Sequence, residues 1–267
     1  MKLQLIRHAS LWLEYAGVAW LVDPMFSDKA VNPPIANSGD ERRNPLVPLP
    51  GHLNAWLHPD AVLVTHLHRD HWDEAAASAL RKDLPLFCQE GDRDSFLSSG
   101  FARITEIRDF ASFNGVILHR TGGRHGTGEI GQKMGKVSGF ILQAQDEPTL
   151  YIAGDTIWCD EVKNALDTYK LDLTVVNAGG ARFQVGGAIT MDEDDVHKLI
   201  SHAPYTRVVA VHMDAINHCR VTREALRASL IANHSLAKVV IPEDGDWVEF
   251  ETNGGGRQQA VDGSELA

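Results

Sequence analysis

The stretch "AVLVTHLHRDHWDEAAASAL" constrains the chain more than any other. An apolar run leads into His66, His68, Asp70 and His71, and a helix-forming run follows at once. Side chains alternate across an extended segment, so the i, i+2 spacing puts His66 and His68 on one side and turns Leu67 the other way, toward a core. Asp70 and His71 are adjacent and reach the same point only if the chain bends, which the run from Asp73 onward supplies. The geometry differs from a helical HExxH, where i, i+4 spacing does the same work. The stretch therefore requires a strand that stops at a polar edge and turns directly into a helix.

Other parts of the chain repeat that plan. "DLTVVNAGG" precedes "MDEDDVHKLISH", and "TRVVAVH" precedes "TREALRASLIANH"; "GVILHRT", "VSGFILQA" and "TLYIAGD" have the composition of sheet strands. At the start, "LQLIRH", "SLWLEY" and "VAWLVD" form a β-meander, with Ala16-Gly17 as a turn. Strands and helices mix in both halves, so the expected class is α/β, with one domain over residues 1–252. The 267 residues suit that size. The glycine-rich tail at 253–267 is expected to fray. Between Pro24 and Pro59 lies a proline-rich loop with no helical or strand periodicity. A loop that long is usually functional, and Phe26, Arg42, Arg43 and Trp56 are its candidates for lining or covering a pocket. The acidic cluster from Asp192 to Asp195 reads as a helix N-terminus.

Several strand-like runs also end in potential metal ligands. "RVVAVH" stops at His212, "TLYIAGD" at Asp155, and "VILHRTGGRHG" reaches His125 in a glycine-rich turn. In open α/β folds such groups collect at the edge where strands give way to loops. Imidazole and carboxylate donors suit zinc, manganese or iron, and this many exceed what one tetrahedral ion needs, so two divalent ions fit better.

The HxHxDH of His66, His68, Asp70 and His71, followed by His125 in "RHG", Asp155 in "AGD" and His212 at a strand end, resembles the metallo-β-lactamase-fold hydrolase superfamily. The resemblance runs from Leu3 to Phe250, and "LVDP" at Asp23 matches the early aspartate that supports the metal loop there. It implies a four-layer αββα sandwich with the site at the edge between two sheets. It also implies that His66, His68 and His125 hold one metal, Asp70, His71 and His212 the other, and that Asp155 bridges them. The expected reaction is hydrolysis of an ester, lactone or phosphoester by a metal-bridging hydroxide, with Asp70 or a metal-bound water managing the proton and Asp155 orienting. Zinc is the first expectation, with manganese or iron as alternatives. The main subclass of true metallo-β-lactamases has cysteine where this chain has Asp155, so lactam antibiotics are not expected substrates. Within the superfamily, "RHASLWLEYAG…LVDP" and "GRHGTGEIG" look most like the branch with ascorbate-6-phosphate lactonase and N-acyl-phosphatidylethanolamine phospholipase D. Two competing expectations are an iron-dependent oxidoreductase on the same fold and a non-catalytic metal-binding module.

Five further residues are candidates for substrate contact: His8 in the turn after the first strand, His218 shortly after His212, and Arg42, Arg43 and Arg124 as anion binders. The formal charge of -11 argues against nucleic acid as a partner. The N-terminal stretch carries Arg7, Glu14 and Asp23 and lacks the unbroken apolar core of a signal peptide or spanning helix. Cys88, Cys159 and Cys219 give no disulfide framework and suit a reducing cytosol, and Cys159 reads as packed rather than ligating. The expected partner is a small-molecule substrate, and the oligomeric state is left unset.

Overall fold

Alternation decides which layer each strand residue enters. In the computed structural model, which describes residues 1–250, β4 (Ala61–Val64) sends Ala61 and Leu63 into one apolar cluster and Val62 and Val64 into another. β9 (Gly139–Gln143) and β12 (Arg207–Val211) behave likewise: Phe140, Leu142, Val209 and Val211 join Leu63, whereas Ile141, Val208 and Ala210 face a third cluster. A strand buried on both faces must lie between two layers, and this explains why these runs are continuously apolar. The shared cluster is the interior between two sheets. The other two lie between each sheet and its helices, completing a four-layer αββα sandwich. The tail expected from 253 lies outside the described residues.

Each sheet begins as an antiparallel meander and continues as parallel strands. In the first, β1 (Lys2–Arg7), β2 (Ser10–Tyr15) and β3 (Val18–Val22) are followed by β4, β5 (Pro85–Gln89) and β6 (Arg103–Ile107), all parallel to β3. The second repeats this with β7 (Phe110–Phe113), β8 (Val116–Thr121), β9 and β10 (Leu150–Ile152), then β11 (Leu173–Asn177), β12 and β13 (Val239–Val240). β14 (Trp247–Glu249) crosses back to pair with β1. Parallel strands need long crossovers. α1 (Glu74–Ala79) and α2 (Arg93–Ser98) serve the first sheet, and α4 (Asp160–Tyr169), α5 (Glu193–His202) and α6 (Arg223–Ala232) the second. The acidic cluster caps α5 as expected, because the Asp192 side chain accepts from Asp195 N–H.

The crossover between β3 and β4 is the proline-rich loop, which does line a cavity through residues 32–36 and Asn44, but two of the residues expected there need correction. Leu53–Trp56 forms a 3₁₀ turn, and Phe26 and Trp56 are buried with their rings stacked at 6.5 Å instead of lining a pocket. Trp56 Nε1 donates to Gln4 Oε1 at 2.9 Å, tying the loop to β1. An extended loop rich in proline still has apolar side chains to bury, and these two found the first sheet's outer face. Among the described residues, no helix is long and apolar enough to cross a membrane.

Candidate metal centre

The strands of both sheets deliver their donors to one edge. His8 follows β1, Asp23 follows β3, His66 lies just past β4, Asp155 just past β10, and His212 directly after β12. His8, Asp23 and His212 all have positive φ (61°, 43° and 68°), a conformation non-glycine residues adopt when their surroundings enforce it. The bend required of "HRDH" is a tight turn in which the His71 and Trp72 N–H groups both donate to the His68 carbonyl at 2.9 Å. Asp73 then caps α1, accepting from Ala76 N–H and from Ser27 N–H at 2.7 Å each. Such a cap contributes roughly 1 kcal/mol and here also ties the histidine turn to the loop after β3.

Two donor sets result. His66, His68, His125 and Asp155 form one, and His8, Asp70, His71 and His212 the other; within each set the donor atoms lie within 4.8 Å of one another. Asp155 faces both. Its Oδ1 is 3.3 Å from His71 Nε2 and 3.2 Å from His212 Nε2, while its Oδ2 is 3.4 Å from His125 Nε2 and 3.8 Å from His66 Nε2. Asn177, at the end of β11, donates from Nδ2 to Asp155 Oδ1 at 2.6 Å and fixes the carboxylate.

The chemistry of the set fits cations. His71 Nδ1 is 2.8 Å from Asp23 Oδ2 and His125 Nδ1 is 2.7 Å from the Ile189 carbonyl, so both rings carry their proton on Nδ1. The Thr65 hydroxyl donates to Asp23 Oδ2 at 2.7 Å and accepts from His66 Nδ1 at 3.0 Å, which sets His66 in the same tautomer. The bare Nε2 atoms are then turned inward. His66 and His125 Nε2 stand 3.1 and 3.3 Å from His68 Nδ1, and His71 and His212 Nε2 stand 3.3 Å apart. Nitrogen lone pairs converging at this distance on buried carboxylates repel unless positive charge lies among them.

The electrostatics agree. Burial holds His66 well below the usual imidazole range and also lowers His125. It pushes His8 down to about 3, helped by His212. For His71 burial acts the same way, but Asp155 and Asp23 outweigh it and raise the ring to about 10; Asp155 likewise raises His212 well above its ordinary value. Without cations, the buried carboxylates recruit protons onto these two rings.

All seven residues expected as ligands thus lie in one cluster, and His8 joins them through Asp70, with Nε2 3.1 Å from Oδ2. The arginines are placed differently. Arg42 is paired with Asp40, Arg43 donates to the Ala30 and Val31 carbonyls, and Arg124 is paired with Glu161. His218 is buried with Nδ1 unpartnered, near Cys219 and Phe183, and belongs to neither donor set. Cys159 is packed, with Sγ 3.4 Å from Thr156 Oγ1. The glycine-rich turn serves packing: a Cβ on Gly126 would come within 2.8 Å of Ile189, the residue that orients His125. The turn also runs into α3 (Gly128–Met134), which the glycines concealed.

Sequence reasoning missed Thr65, Asn177, Asn217 and Cys219, whose Sγ lies 3.6 Å from His212 Nδ1. Thr65 and Asn177 sit at strand ends like the donors, and that was their available signal. Two cavities flank the centre. One of about 320 Å³ and mixed lining borders His66 and His68, with Leu67, Met134, Gln89, Asp92 and Lys136 in its wall, and a more apolar one of about 260 Å³ borders Asp70.

Comparison with known proteins follows the same lines. A family model described as a Beta-lactamase superfamily domain matches residues 20–213, a span running from just before Asp23 to just past His212. UPF0173 protein YddR of Bacillus subtilis is 34% identical over 254 residues, covering 94% of this chain and 100% of that protein. An isothiocyanate hydrolase from Delia radicum gut bacteria superposes with a TM-score of 0.90 at 37% identity, over 94% of this chain and 99% of that one. A possible metal-dependent hydrolase from Veillonella parvula also superposes at 0.90, with 32% identity over 93% and 98% of the two chains.

Proposed function

The chain belongs to the beta-lactamase superfamily and is a metal-dependent hydrolase, and we propose that it is dinuclear and adds water to an electrophilic carbon of a small, uncharged molecule. The observation that carries this reading is the split of Asp155, with one carboxylate oxygen turned to each histidine pair. His66, His68 and His125 would hold one cation, Asp70, His71 and His212 the other, and Asp155 both. Zinc suits this mixed set best, and manganese or iron also fits. Bound there, a pair of divalent cations supplies water of lowered pKa and a Lewis acid for the developing anion.

The chain's own groups then have distinct tasks. Asp70, with 13% of its side chain exposed, is the carboxylate bordering the cavity, and it would take the proton of the attacking water. His8 holds Asp70 Oδ2 in place. Asn177 keeps Asp155 from rotating. Asp23 and Thr65 hold the imidazoles in the tautomer that turns Nε2 inward. The surrounding buried shell limits competing access of bulk solvent.

The 37% identity to an isothiocyanate hydrolase supports an isothiocyanate as leading substrate. Water adding to its central carbon gives a thiocarbamic acid; cleavage of the C–N bond, with proton transfer to nitrogen, releases the amine and carbonyl sulfide. Esters and lactones, the chemistry of the lactonase branch, present a comparable carbon. We take residues 1–252 as one catalytic domain, and the reduced cysteines and acidic charge support a cytosolic location. The test is turnover by metal-analysed protein of 2-phenylethyl isothiocyanate, a lactone panel and a phosphodiester, alongside Asp155→Ala. Turnover lost in the variant, without oxygen uptake, is expected. No turnover with zinc, manganese or iron, or full turnover by the variant, would overturn the reading.

A further inference from the structure

The proline-rich segment beside the metal centre is clamped by one buried side chain. Asn217 Oδ1 accepts from Ile35 N–H at 3.1 Å and from Asn44 Nδ2 at 2.8 Å, its Nδ2 donates to Ser38 Oγ at 2.8 Å, and its own N–H donates to Asn44 Oδ1 at 2.9 Å. Asn32 and Asn44 also exchange backbone hydrogen bonds at 2.8 and 3.0 Å. The amide of a single residue, five positions after His212, therefore locks the loop onto the end of β12. A segment held this way is a fixed wall, because moving it would strand several buried polar groups.

That wall borders the half-open cavity beside Asp70. Met25, Pro33, Pro34, Ile35, Ala36 and Ile216 supply its apolar surface. Of its polar neighbours, Asn44 is consumed by the clamp, Asn32 is tied to Asn44 through its backbone and offers one side-chain amide, Asp70 belongs to the donor set, and Arg69 stands at the exposed rim. The three arginines expected to bind an anion are engaged elsewhere. A volume near 260 Å³ exceeds the roughly 150 Å³ apolar cavity that accepts benzene, so an aryl group on a short linker fits.

We infer that this cavity is the subsite for an alkyl or aryl substituent of the substrate, so that the enzyme selects apolar-chain, uncharged electrophiles over phosphoesters and carboxylate-bearing compounds. The inference rests on the hydrolase reading for what the substituent is attached to, but the subsite can be tested without turnover. Binding of 2-phenylethanol to the metal-loaded protein is measured by calorimetry and compared with 3-phenylpropanoate and 2-phenylethyl phosphate. Ile216→Trp fills the cavity, and Ile35→Glu places a charge on a half-exposed part of its wall where folding is tolerant. Each should weaken 2-phenylethanol binding about tenfold at unchanged metal content, whereas Arg69→Ala should leave it within about twofold. Equal affinity in wild type and both wall variants would overturn the subsite, as would tighter binding of either anion or dependence on Arg69. A negative substrate screen would sink the hydrolase reading alone, since alcohol binding requires no reaction.

Discussion

Replacing Asp23 by Asn exchanges one oxygen for an NH₂ group and should loosen both halves of the centre. Asp23 accepts from Thr65 N–H at Oδ1 (2.7 Å), and at Oδ2 from the Thr65 hydroxyl (2.7 Å) and His71 Nδ1 (2.8 Å). An asparagine that keeps the backbone bond must turn its NH₂ toward the other two. That NH₂ donates where Oδ2 accepted, so His71 Nδ1 has to lose its proton and carry it on Nε2, aimed at the donor set. The Thr65 hydroxyl is reversed in turn and donates to His66 Nδ1, which moves the proton of His66 to Nε2 as well. Removal of such a supporting partner typically costs 10–100-fold in metal affinity, or about 1.4–2.8 kcal/mol per site by the rule of 1.4 kcal/mol per tenfold. The backbone is not a confounder, because Asp23 has φ 43° and asparagine accepts that region as readily as aspartate. The assay is competition of metal-free protein with a chromogenic chelator for zinc, with histidine tautomers read by nitrogen NMR. Weakening at both sites and Nε2–H on His66 and His71 are expected. Wild-type affinity at both sites, or an unchanged His71 tautomer in the folded variant, would refute the relay.

Thr65→Val removes the link to His66 and one of the two bonds on Asp23 Oδ2 but leaves His71 Nδ1 on that oxygen, so the same titration should show the His66 site weakened more than the His71 site. Zinc uptake at pH 7 should release protons, because the metal-free protein keeps them on His71, raised to about 10, and on His212. Lowering the pH strengthens that competition, so affinity should fall with pH; proton release in weakly buffered solution checks the sign. Stripping the metals with a chelator should lower the melting temperature reversibly, since each site at 100 times its Kd contributes roughly 2.7 kcal/mol. Phe140→Ala, in the interior between the sheets, should cost about 3–5 kcal/mol in denaturant unfolding. Gly179→Ala places a Cβ 2.1 Å from the His212 carbonyl oxygen, so the ends of β11 and β12 must separate. Destabilisation of about 1–3 kcal/mol is expected there, with weakened zinc binding.

The sequence by itself determined the α/β class, the approximate positions of the strands around the site, and the group of donors. These depend on properties carried by neighbouring residues: the apolar period of each run and the chemistry of the residue that ends it. Short strands such as β5 and β6 and the small helix α3 escaped, because five to seven residues, interrupted in β6 by charge and in α3 by glycine, hold too little periodicity. Tertiary structure decided the partners. Asp23 reaches His71 across 48 positions and Asn217 reaches Asn44 across 173, separations at which no local pattern indicates who will meet. The same closure paired Arg124 with Glu161 across 37 positions, and it buried Phe26 and Trp56 in place of lining a pocket. It also turned one oxygen of Asp155 toward each donor set. A donor's identity is a local property, whereas the direction of its lone pair is set by whichever buried group holds its far side, and that group is chosen only when the two sheets pack.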